Sequence, residues 1–130
     1  MGVPETGQQA ARELYSATTG SDGSIFEIDE DVARSLAAAC DRLIEDLQRA
    51  HTLDPQVTDV TGFPKLPSGQ ALTQGFADKG REFLDLITAF QQTALLFKAA
   101  YLAAGRYVEE AEAAGRAAVE LVTVRLEDHR

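Results

Sequence analysis

The sequence predicts an all-α protein: an antiparallel helical hairpin with a long second helix and coiled-coil-like packing, open to a four-helix bundle on dimerisation. Two observations predict it. Apolar residues recur at steps of three and four over two long stretches, the period of a helix face that packs on another helix. The four prolines stand at positions 4, 55, 64 and 67, so nothing after residue 67 carries the residue that most strongly breaks a helix interior.

The elements follow in order. Residues 1–25 read as a flexible N-terminal segment. Within it, residues 5–17 can form a short helix with Ala10, Leu14 and Ala17 on one face, although isolated helices of this length are marginal in water. Residues 18–25 are rich in Gly, Ser and Thr and read as a flexible connection. The helical hairpin domain occupies residues 26–130. Its first helix spans about 30–53, with Asp29 as the expected N-cap and Glu30 and Asp31 set against the positive end of the helix dipole. Inside it Ala33, Leu36, Cys40, Leu43, Leu47 and Ala50 form a narrow seam of coiled-coil type. Residues 54–67 hold three prolines and Gly62 and read as a loop, pinned by Val60, Phe63 and Leu66. The second helix is expected over about 68–126, with Ser68 as its N-cap. Its seam runs Phe76, Gly80, Phe83, Ile87, Phe90, Ala94, Phe97, Tyr101, Ala104, Val108, Ala111, Gly115, Ala118 and Val122, alternating steps of four and three. Phe83, Phe90 and Phe97 are expected to be buried, the first two against the first helix. Gly105 and Gly115 are candidate bends, each weakening a helix by about 1 kcal/mol relative to Ala.

The two helices differ in length. At about 1.5 Å per residue the first spans roughly 36 Å and a continuous second helix roughly 88 Å. Paired as a hairpin, the first helix covers the second only as far as residue 92. Either the chain bends at Gly105 and folds back, or a second chain covers the rest, and the second chain is the favoured reading. Phe97, Tyr101, Ala104, Val108, Ala111, Gly115, Ala118 and Val122 are then the candidate interface seam. The expected partner is another helical protein, as a homo-oligomer or as a heterodimer with another hairpin protein. For Tyr101 alone, core packing is the default reading.

The composition argues against several other functions. With 21 Asp and Glu against 12 Lys and Arg, the formal net charge is -9, and no basic cluster is available to neutralise phosphates, so no nucleic-acid partner is expected. No apolar run is long enough to cross a membrane. The first residues have neither the basic start nor the apolar core of a cleavable signal peptide. The single cysteine, Cys40, lies on the apolar seam and reads as a small buried hydrophobe. Of the two histidines, His51 ends the first helix and His129 lies beside the C-terminus. Neither has a Glu three residues earlier, which excludes the Glu-x-x-His pair of di-iron bundles. Pro67-Ser68-Gly69-Gln70 lacks the lysine of a phosphate-binding loop. The expectation is therefore no enzyme, with no catalytic residue, no metal and no cofactor.

Three segments carry a family likeness. Residues 26–47, FEIDEDVARSLAAACDRLIEDL, resemble the first helix of small actinobacterial type VII secretion proteins, the WXG-type hairpins and their longer secretion-associated relatives. Residues 62–76, GFPKLPSGQALTQGF, resemble their inter-helix connection and second-helix start. Residues 103–122, AAGRYVEEAEAAGRAAVELV, resemble the tail of the secretion-associated relatives. The resemblance implies a protein that binds a helical partner and the secretion machinery. It also implies secretion, or association with the cell envelope, by a route that needs no signal peptide. Two features depart from the family. The Trp-x-Gly turn is absent, since the chain has no Trp. The family's export signal is a Tyr followed four positions later by an acid, whereas Tyr107 is followed at that spacing by Ala111. Glu110 and Glu112 flank the slot, so Tyr107, Glu110 and Glu112 are the candidate export or partner-recognition residues. The plain alternative for Tyr107 is a surface tyrosine on a helix. The alternative for the whole chain is a cytoplasmic helical adaptor or chaperone that self-associates and is not exported.

Overall fold

The computed structural model describes residues 3–20 and 25–128. Among them are five helices and no strand: α1 (Gln8–Ala17), α2 (Glu30–His51), α3 (Asp54–Thr58), α4 (Pro67–Ala104) and α5 (Val108–Asp128). The long α4 is the axis, and each of the other four packs against it.

α2 runs antiparallel to α4, in a register fixed by side chains. Just before α2, the Ile28 N–H donates to the Ala104 carbonyl (3.1 Å) at the far end of α4. Lys98 Nζ meets Asp41 (2.7 Å), and Gln91 donates to Gln48 (3.1 Å). α2 presents a face of small residues, with Ala33 and Ala37 buried and Cys40 only partly so. That lets the backbones approach so closely that a Cβ on Gly105 would stand 2.3 Å from the Ala33 Cβ. Leu43, expected on the seam, is exposed. Asp29 does occupy the N-cap position of α2, but its side chain makes no capping bond.

This register corrects the expected hairpin. The first helix was expected to lie along the start of the second. Instead, residues 54–66 run along the first part of α4, and α2 covers its last part. Pro55 does not prevent α3, because proline is tolerated in the first turn, where its missing N–H would have no helical partner. α3 rests directly on α4 at Gly80, where a Cβ would lie 2.0 Å from the Val57 carbonyl oxygen. α4 itself starts at Pro67 with Leu66 in the N-cap position, two residues before the expected N-cap Ser68.

The second helix is not continuous. It breaks at residues 105–107, and α5 folds back along α4. The break is a Schellman motif: Tyr107 N–H donates to Leu102 O (2.8 Å) and Arg106 N–H to Ala103 O (3.0 Å). Arg106 holds the left-handed position, at φ 70°, which costs a residue with a Cβ about 1–2 kcal/mol. Arg106→Gly is therefore expected to stabilise the fold by about 1 kcal/mol, readable as a higher urea midpoint. The Arg106–Glu27 pair that it removes (3.1 Å) is solvent-exposed and contributes little.

α5 lays Ala111, Ala114 and Ala118 into the interior. The apolar seam beyond residue 92 is thus covered largely by the chain itself, through α2 and α5, and the expectation that it needs a second chain is corrected. Within residues 1–25, the short helix expected over 5–17 is present as α1. α1 packs on α4 through buried Ala11 and a hydrogen bond from Gln8 Nε2 to Gln92 Oε1 (3.1 Å), and just before it the Thr6 and Thr93 hydroxyls pair (2.7 Å). Phe26 N–H then ties the chain back to the Ala17 carbonyl (2.8 Å). Residues 21–24 of the expected flexible connection, and His129, lie outside the described residues.

Candidate functional site

Tyr107 and Glu110 are brought together, and a third residue joins them. Tyr107 follows the left-handed residue of the turn and is not yet helical. Its half-buried ring packs on the cluster of Ala37, Leu102 and Ala111. The Arg34 guanidinium of α2 lies 3.8 Å from the centroid of that ring, a cation–π contact. The same guanidinium forks onto Glu110 in the first turn of α5, with Nη1–Oε2 at 2.5 Å and Nη2–Oε1 at 2.8 Å. The two hydrogen bonds from Arg34 hold the Glu110 carboxyl below its ordinary range and strengthen the hold of Arg34 on its proton. Because the folded Glu110 pKa is lowered, the clamp's contribution is complete above the ordinary carboxylate pKa and is lost as pH falls through the lowered value. Both side chains are about half exposed, so the pair orients the turn more than it stabilises the fold. Glu112 lies apart, on the α5 side of a trough between α1 and α5 that Arg12 and Tyr15 of α1 and Arg116 of α5 also line.

The candidate interface seam is mostly interior. Ala104, Ala111 and Ala118 are buried, while Phe97, Tyr101, Gly115 and Val122 are half-buried, with Phe97 stacked on Tyr101. Of the eight residues, Val108 alone is exposed, at 55%.

The free apolar surface lies on the other half of α4. Phe76, Phe83 and Phe90 are 55%, 42% and 43% exposed, with Leu72 and Leu86 exposed between and beside them. The expected burial of Phe83 and Phe90 is therefore corrected. α2 and α3 cover the neighbouring flank, which buries Ala77, Gly80, Leu84 and Ile87, and leave the phenylalanine edge open. Positions 72, 76, 79, 83, 86 and 90 are spaced 4, 3, 4, 3, 4 and form one stripe about 27 Å long, with Lys79 as its one charged member. Beside it, Phe63 stacks on Phe76 with centroids 5.8 Å apart. Val57, Val60 and Phe63 complete a groove of about 500 Å³ against Phe76, Lys79 and Phe83. At about 200 Å² for a large apolar side chain, the five half-exposed residues present on the order of 400–500 Å², a patch size that often marks an interaction site.

Sequence reasoning missed both Arg34 and the stripe. Arg34 is an ordinary charge on the first turns of α2, and nothing local announces a partner 76 positions away. The stripe was visible as periodicity, but periodicity does not say which side of an apolar edge is covered.

Among the described residues, no three His, Cys, Asp or Glu side chains converge as a metal site, and no helix is long and apolar enough to cross a membrane. Comparison with protein-family models, with curated proteins and with solved structures gave no significant match.

Proposed function

We propose that this chain is a type VII secretion-associated substrate or partner protein that acts by helix–helix binding and performs no catalysis. The observation that carries the binding half is the exposed stripe of Leu72, Phe76, Phe83, Leu86 and Phe90 with its adjoining groove. An amphipathic helix recognises such a surface through anchors at i, i+3, i+4 and i+7. The secretion half is supported by the three segments that resemble the family. The partner is a helical protein, and Tyr107, Arg34 and Glu110 form a rigid turn that the secretion machinery can read from the opposite end of α4.

The alternative, a cytoplasmic adaptor that self-associates, has one observation in its favour. The stripe's spacing reads the same in both directions. Two antiparallel copies of α4 would set Leu72 opposite Phe90, Phe76 opposite Leu86 and Lys79 opposite the Phe83 ring, the last a cation–π pairing.

Export separates the two readings. In a host with a working type VII system, the chain is expected in the culture filtrate or the cell envelope, and only while the secretion ATPase is present. Retention in the cell pellet even with a partner hairpin co-expressed would favour the adaptor.

A further inference from the structure

We propose that the trough between α1 and α5 binds a small amphipathic carboxylate, an apolar chain ending in an acid group. The site is separate from the phenylalanine stripe and does not depend on the secretion reading. It encloses about 510 Å³, within the range of small-molecule sites. Leu96 of α4, Tyr15 of α1 and Gly115 of α5 line it with partly exposed surface, above buried Ala11, Ala99 and Ala111. The three alanines have short side chains, so the two outer helices leave a shallow depression over them. At Gly115, which also lines the trough, nothing beyond its chain neighbours and α5's own backbone lies within 4 Å of where a Cβ would stand.

The mouth selects the ligand's charge. Arg12 stands on the α1 bank and Arg116 on the α5 bank. Among the described residues, every ion pair uses other groups, so both guanidiniums are available. Glu112 is the one acid at the rim, which leaves the mouth locally positive on a chain of net charge -9. An alkyl chain laid along the floor loses contact with water, and its carboxylate reaches a fork of N–H donors whose geometry suits it. A neutral amphiphile gains only the first of these, and a cationic one is repelled.

Titration of the full-length chain with octanoate, 1-octanol and octylammonium, followed by calorimetry and by amide chemical shifts, tests the site. Octanoate is expected to bind saturably at one site per chain and to shift residues of α1 and α5. Octanol should bind more weakly, and octylammonium should not bind there. Arg12→Gln/Arg116→Gln is expected to weaken octanoate at least tenfold and to leave octanol unchanged. Gly115→Leu, which fills the void from a position with open space around it, should abolish octanoate binding in a chain that stays folded and melts somewhat higher, since leucine is the better helix former. Should that variant fail to fold, the surface arginine pair carries the test alone. Phe83→Ser should bind octanoate like wild type, which keeps this site distinct from the helix-binding stripe. Absence of saturable octanoate binding, equal binding of octylammonium, or wild-type affinity in the arginine double variant or in a folded Gly115→Leu chain would overturn the proposal.

Discussion

Ala111→Glu is expected to separate α5 from α4. Ala111 is fully buried and packs in the cluster with Ala37 and Leu102. A glutamate there must either bury an unpaired carboxylate or push α5 outward and expose the alanine face. Either route costs about 4 kcal/mol or more, against a total of about 5–15 kcal/mol for a domain of this kind. A thermal melt followed by helical circular dichroism should show the midpoint falling by about 15 °C, or the loss of a cooperative transition. An unchanged midpoint would mean that α5 does not pack as described. The same substitution is the one that would restore the four-residue Tyr-to-acid spacing of the family signal. That spacing assumes a helix running through Tyr107. Here Tyr107 belongs to the turn, so position 111 points inward, and the acid beside the tyrosine in space is Glu110, held by Arg34. If this chain is exported on its own signal, the reader must accept that arrangement, and restoring the family spacing should reduce export by unfolding the protein.

Leu84→Ala and Phe83→Ala are adjacent in sequence and should differ sharply in effect. Leu84 is 1% exposed and stands on the flank of α4 that the rest of the chain covers. Its truncation should cost about 3 kcal/mol, in the range for a buried leucine. Phe83 is 42% exposed, and its truncation should cost less than about 1 kcal/mol, as for surface positions without a special role. Urea midpoints of the two variants provide the measurement. A larger loss for Phe83→Ala than for Leu84→Ala would place the phenylalanine edge inside the monomer and remove the basis for a docking surface.

The helical class and the first helix were legible because both rest on local signals: period, proline placement and the acids at Glu30 and Asp31. What was not legible rests on contacts between distant segments. The break after Ala104 was legible only as the less favoured alternative, a bend at Gly105 with the tail folded back, and the left-handed residue is Arg106, not the glycine beside it. The middle of α4 misled in another way. Thr88, Gln91, Gln92 and Thr93 are buried, yet their residue types read as a solvated face. Each finds a partner in Gln8, Gln48, Thr6 or a carbonyl one turn back. The bonds to Thr6, Gln8 and Gln48 help set the registers of α1 and α2. Of the candidate recognition residues, the closeness of Tyr107 and Glu110 could be read from spacing alone. The guanidinium that locks them together could not.

Sedimentation velocity on the wild-type chain and on Phe76→Ser/Phe83→Ser/Phe90→Ser tests the docking stripe most directly. Each is run alone and mixed with a WXG-type helical-hairpin protein. The wild type is expected to form a complex at micromolar concentration, with that partner or with itself. The triple variant should keep its helicity and sediment as a 14.0 kDa monomer in both runs. A wild type that stays monomeric in both runs, or a triple variant that associates as well as the wild type, would contradict the account.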